Sequence, residues 1–247
     1  MEFLGHGMVG LNHPPTWASY FAVVGINREL AFRLMPVIGA MDIAIGALIL
    51  VFPFRPLTLY MAIWGLWTAL LRPLAGESIW EALERAGNYG APYALFLVLG
   101  SGIGARRADN EMAASIGEPR RTVIDRVLWS TTVLLLLGHG ALGLLLRKQL
   151  FAMQYTHMGW PGVLVEPWIG VFEIAFALAI IWRPDRRLLI LVVLWKLATE
   201  ALSPIAGSSV WVFVEHGGSY AAPLALALLS TPSRASQTAA VLSESPG

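Results

Sequence analysis

Two histidines each stand between glycines, His6 in GHGMVGL (5–11) and His139 in GHGALGL (138–144), and the second lies inside the uncharged run VLWSTTVLLLLGHGALGLLL. Each is followed by one acid in the next apolar stretch, Asp42 in GAMDIAIGALIL and Glu173 in GVFEIAFALAII. Ionisable groups in hydrocarbon are costly, so they face a bundle interior and pair. Three kinds of chemistry fit such residues. Each His can simply hold its acid and lock two helices, with the glycines letting another helix come close. His6 and His139 can be the two axial ligands of one b-type haem lying between small residues. Or the pairs can accept protons from a quinol-like substrate, since imidazole titrates near neutral pH.

Two further groups carry polar chemistry. Lys196 and Glu200 stand four apart in WKLATEA (195–201), on one helical face, where the corresponding WGLWTAL (64–70) has no charge. The stretches GESIWEALERAGNYGAPY and GSSVWVFVEHGGSYAAPL place Glu84 with Tyr89, and Glu215 with Tyr220, beside a break at Gly-Asn-Tyr-Gly or Gly-Ser-Tyr-Ala, after which Pro92 and Pro223 start new helices. A polar pocket is expected there, with Trp80 and Trp211 at headgroup depth.

The elements that must position these residues are membrane helices. Charged residues are 13% of the chain, against about 25% in ordinary soluble domains, apolar residues are 56%, and the mean hydropathy is +0.63. Several segments approach the roughly 20 apolar residues needed to cross the hydrocarbon core; residues 127–146 form the cleanest, and 34–54 carries Asp42 as its one charge. They must be helices, because lipid satisfies no backbone polar group and the alternation of a barrel strand is missing. The chain has no Cys, which excludes disulfides and thiol chemistry. No basic n-region or A-x-A-like cleavage site precedes the first apolar stretch, and the net charge of +1, with bases scattered over loops, offers nothing to nucleic acid.

The sequence also repeats itself. Shifted by 131 positions, 36–97 aligns without a gap on 167–228, with 26 identities in 62 pairs, among them RPLAGESIW against SPIAGSSVW. The GHG stretches align at the slightly different offset of 133, so the second half has residues 127–133 ahead of the position matching Met1, and the opening helix of the first half is expected to be short or to start upstream. The expected fold is all-α: a polytopic membrane bundle of two parallel four-helix repeats, about eight transmembrane helices in all. The repeats are 1–104 and 127–230, joined by a basic linker at 105–126 and followed by a disordered tail at 231–247. Ten basic residues fall on the linker side and six on the other, which puts the linker and both termini in the cytoplasm of a bacterial-type inner membrane.

Each half resembles the DoxX-like family of small four-helix membrane proteins, through its glycine-histidine-glycine first helix, the Gly-Trp-Pro loop (159–161) and the acid among small residues in the second helix. The resemblance implies a helical membrane fold and a place in a membrane redox system, as a quinone-interacting or oxidoreductase-associated subunit. A small-solute transporter and a non-catalytic assembly subunit are the alternatives from other classes.

Overall fold

The computed structural model describes residues 1–100, 118–147 and 149–230; the tail at 231–247 and the linker up to residue 117 lie outside them. All regular structure among the described residues is helical. The first half contains α1 (Glu2–Leu11), a 3-10 turn at Pro15–Trp17, α2 (Ala18–Ala22), α3 (Arg28–Val51), α4 (Arg55–Leu74), α5 (Ile79–Glu84) and α6 (Ala86–Leu99). The second contains α7 (Glu118–Leu144), α8 (Gln149–His157), α9 (Gly162–Trp182), α10 (Arg186–Ile205), α11 (Val210–Glu215) and α12 (Gly217–Leu229). Residues 118–126, assigned from sequence to the linker, thus form the start of α7.

Among the described residues, six helical segments are long and apolar enough to cross a membrane: α3, α4, α7, α9, α10, and α11 with α12 together. The chain is a multi-pass membrane protein. Eight such segments were expected, and two fall short for visible reasons. Helix α1 has ten residues, about 15 Å at 1.5 Å per residue, half of a bilayer core. The α5–α6 segment carries Glu81, Glu84 and Arg85 within its length.

Local signals explain where the helices begin. Asn27 caps α3 by accepting from Leu30 N (2.9 Å), and Asp185 caps α10 by accepting from Arg187 N (2.7 Å). Ser78 and Ser209 cap α5 and α11 alike, on Trp80 N and Trp211 N. The α5–α6 break falls at Arg85 and the α11–α12 break at His216, both near φ −85°, and not at the glycine-tyrosine steps. Pro92 and Pro223 consequently lie inside α6 and α12 instead of starting helices; each denies a donor to the carbonyl four residues earlier, which the bundle must accommodate.

Small and polar residues dominate the buried stripe in each of α3 and α9. In α3 it runs Ala31, Met35, Gly39, Asp42 and Gly46; in α9 it runs Gly162, Glu166, Gly170, Glu173, Ala177 and Ile180. The opposite faces are apolar and exposed, as at Leu164, Leu178 and Trp182, the last 90% exposed. Such surfaces suit lipid.

The flanking glycines of the two histidines divide the packing between them. A Cβ on Gly7 would meet the Gly39 carbonyl and Ile43 of α3, and one on Gly140 would meet Ile174 and the Gly170 carbonyl of α9, so the glycine after each histidine admits the next helix of its own half. A Cβ on Gly5 would strike the Glu215 backbone of α11, and one on Gly138 would strike the Glu84 backbone of α5. The glycine before each histidine therefore admits the other half. Gly87 and Gly218 press on one another between α6 and α12.

Candidate functional site: two cavities and a buried charge chain

The two histidine–acid pairs form. His6 Nδ1 lies 2.7 Å from Asp42 Oδ2, and His139 Nδ1 lies 2.5 Å from Glu173 Oε2. Both acids are fully buried, because each occupies the centre of its helix's one inward stripe.

In the second half the pair is the start of a chain. Glu173 Oε1 accepts from Trp195 Nε1 (3.2 Å) and from Lys196 Nζ (3.3 Å). Lys196 Nζ also lies 2.9 Å from Glu200 Oε1, and Glu200 Oε2 lies 2.5 Å from His216 Nδ1. One turn of helix α10 supplies both Lys196 and Glu200, as their spacing of four requires. The break at His216 turns that imidazole back onto α10. Five ionisable groups thereby join in sequence from His139 to His216, and the charge of Lys196 is shared between two carboxylates.

His139, Glu200 and His216 line a polar cavity of about 110 Å³, together with Glu84, Arg85 and Glu215. Arg85 Nη1 lies 3.2 Å from Glu215 Oε1, an ion pair that joins the first half to the second. Tyr89 and Tyr220 do not share this wall. Each donates its hydroxyl to a carbonyl seven residues earlier, Tyr89 to Ala82 O (3.4 Å) and Tyr220 to Phe213 O (3.1 Å), and so ties the two short helices at the break together.

The first half opens differently. Where α10 carries Lys196 and Glu200, the aligned α4 positions are the uncharged Gly65 and Ala69, and the neighbouring α4 residues Trp64, Trp67, Thr68 and Leu71 line an aromatic cavity of about 210 Å³. Trp17, Tyr20, Phe21, Trp64, Trp67, Met35, Ile38 and Leu71 give it apolar walls, and His6, Arg72, Arg85, Asn88 and Glu215 give it a polar end. The His6 ring stacks on Trp17, with centroids 4.6 Å apart and planes 21° from parallel. Tyr20 donates to Glu77 Oε1 (2.6 Å) while Arg72 sits over its ring and bonds Glu77 Oε2 (3.3 Å). Burial, reinforced by the Glu77 carboxylate, outweighs Arg72 and holds the Tyr20 hydroxyl above its ordinary pKa, so it remains a donor.

Arg85 and Glu215 line both cavities and are their common wall. Sequence reasoning singled out Glu215 but missed Arg85 and His216, although these two align with each other at the offset of 131 and both sit at a helix break. It also missed Trp17 and Tyr20, which lie in a connecting segment with no periodic signal.

The pairs should be energetically coupled. His6→Leu combined with Asp42→Asn is expected to destabilise by about 1 kcal/mol less than the sum of the two single changes, near the upper range for membrane-protein hydrogen bonds. The same cycle on His139 and Glu173→Gln should show a smaller coupling, since Trp195 and Lys196 continue to hold the residue at 173. Unfolding of the detergent-solubilised variants measures both, and strictly additive effects would show that the pairs do not interact.

The chain matches no protein-family model, no curated protein and no solved structure in these comparisons.

Proposed function

We propose that this membrane protein binds a flat, lipid-soluble ring of the quinone class in its aromatic cavity and serves a membrane redox system as the quinone-interacting component. The observation that carries this reading is the position of His6, stacked on Trp17 at the wall of an aromatic cavity while its other side is held by buried Asp42. An imidazole oriented by a carboxylate is suited to take or return a proton at a ring oxygen, and the indole walls suit the ring itself. The electrons are exchanged with a redox partner in the membrane, which receives two when the quinol gives up its protons and supplies two when the quinone takes them up.

A haem held by both His6 and His139 fits less well. Each histidine has its Nδ1 on an acid, which is compatible with ligation through Nε2, but His6 lines the aromatic cavity and His139 the polar one. One macrocycle between them has no common space to occupy.

The arrangement is read as two parallel DoxX-like repeats, with α1 and the α5–α6 segment completing eight membrane elements in an inner membrane and with the linker and both termini cytoplasmic. The reciprocal packing of Gly5 on Glu215 and Gly138 on Glu84 supports a twofold relation between the halves. The polar cavity of about 110 Å³ between the halves favours a second reading, passage of a small polar solute, which uptake into proteoliposomes would reveal.

Titration of the purified protein with a short-chain ubiquinone is expected to quench tryptophan fluorescence saturably, because Trp17, Trp64 and Trp67 all line the cavity. Trp67→Ala should weaken that binding about tenfold, as loss of a large aromatic contact typically does. No saturable quenching, together with no quinone in lipid extracts of the pure protein, would refute the reading.

A further inference from the structure

The two halves hold their intramembrane acids with different resources. In the second, Glu173 Oε1 accepts from both Trp195 Nε1 and Lys196 Nζ. In the first, Asp42 is one methylene shorter, Gly65 stands where Lys196 would, and Asp42 Oδ1 and Trp64 Nε1 have no hydrogen-bond partner among the described residues. Asp42 is fully buried. Asp42 and Trp64 both line a cavity of about 20 Å³, enough for one water-sized occupant. Glu2, 9% exposed, lines the same cavity, and its Oε1, left out of direct hydrogen bonds, packs against Gly218 of α12.

Neutral oxygens complete the wall. The Thr68 hydroxyl donates to Gly65 O (3.1 Å), which leaves its lone pairs free to act as acceptors. Asn88 also lines the cavity; Pro92 deprives its carbonyl of the usual helical donor, and that carbonyl is the atom a Cβ on Gly65 would strike.

We propose that this cavity binds a single monovalent cation of sodium size, in the place that the Lys196 ammonium fills in the second half. Water would bridge the unpartnered atoms and leave Glu2, which also feels the N-terminal ammonium and His216, to be neutralised by a proton, whereas a cation would take that proton's place. The Trp64 N–H does not oppose it, because Trp195 and Lys196 already share one carboxylate oxygen in the other half. No three His, Asp or Glu side chains converge among the described residues as a divalent metal would want. The cavity instead has the carbonyl of a proline-interrupted helix, the kind of group that coordinates monovalent ions in membrane proteins, beside two carboxyl groups and a hydroxyl. A lysine cannot supply the charge from position 65, because its Cβ would fall on the Asn88 backbone.

The test is equilibrium binding of radioactive sodium to the purified full chain, with thermal unfolding in NaCl and in choline chloride at equal ionic strength. One saturable sodium per chain is expected, not two, with a rise in Tm of roughly 3 °C or more at saturation. Asp42→Asn should abolish the binding, Glu2→Gln should weaken it roughly tenfold, and Glu200→Gln should leave it intact. If Asp42→Asn does not fold, Glu2→Gln alone decides. Absence of saturable binding with equal Tm in both salts would overturn the proposal and leave a water molecule as the occupant; undiminished binding in folded Asp42→Asn or Glu2→Gln would overturn the site.

Discussion

Lys196→Met is expected to destabilise the protein by about 3–5 kcal/mol, the loss typical of removing one partner from a buried ionic group. Lys196 is 1% exposed, and its ammonium lies 3.3 Å from Glu173 and 2.9 Å from Glu200, both buried. Methionine keeps the volume of the side chain and removes the charge, so the change tests electrostatics more than packing. Without the ammonium, His139 and His216 are left to balance the two carboxylates. Adding Glu200→Gln to Lys196→Met should recover a substantial part of the loss, because one of the stranded charges is then gone. The corresponding α4 positions, Gly65 and Ala69, carry neither charge, so the two halves differ most at this point. Chemical unfolding in detergent, followed by tryptophan fluorescence, measures the effect. A loss below about 1 kcal/mol would show that the carboxylates are held neutral without help from Lys196.

The second large effect belongs to the glycines of α7, where substitution by alanine should be graded by position. Gly138 comes first, because a Cβ there falls on the Glu84 backbone of the other half and backbone cannot turn aside. Gly140 follows, because its backbone clash, the Gly170 carbonyl at 2.9 Å, is shallower than the approach to Glu84 N at Gly138, and its other contact, Ile174 Cγ1 at 2.8 Å, can adjust. Gly143 is mildest, its nearest atom being the Glu166 carbonyl at 3.2 Å. Overpacking of a dense interior costs about 1–3 kcal/mol, and Gly138→Ala should reach the top of that range or beyond, with a fall in folded yield. Gly5→Ala should behave like Gly138→Ala, because it meets the Glu215 backbone in the same way. The reverse order, with Gly143→Ala the worst, would mean that the halves do not meet at these glycines.

Composition and the spacing of apolar residues were enough to read the chain as a helical membrane protein, since nothing but a closed backbone hydrogen-bond system survives in lipid. The pairs of His6 with Asp42 and His139 with Glu173 were legible too. A lone imidazole and a lone acid on neighbouring apolar helices have few partners other than each other. The bond between Lys196 and Glu200 follows from their spacing on one helix.

What the sequence could not supply lies across the interface between its halves. Sliding the chain along itself matches Glu84 with Glu215 and Arg85 with His216, like with like. The folded chain instead brings unlike positions together: Gly5 against Glu215, Gly138 against Glu84, and Arg85 against Glu215. Alignment reports equivalence, whereas packing across the interface joins non-equivalent positions here, with Gly87 against Gly218 the exception. The helix breaks show the same division. Pro92 and Pro223 announced an interruption, but its place at Arg85 and His216 was set by where α5 and α11 pack against α7 and α1. The aromatic cavity, likewise, depends on Trp17 and Tyr20 in a connecting segment meeting Trp64 and Trp67 of α4. Local sequence determined which residues could not face lipid; only the tertiary structure decided what they face instead, because burial is a property of one residue and a partner is a property of two.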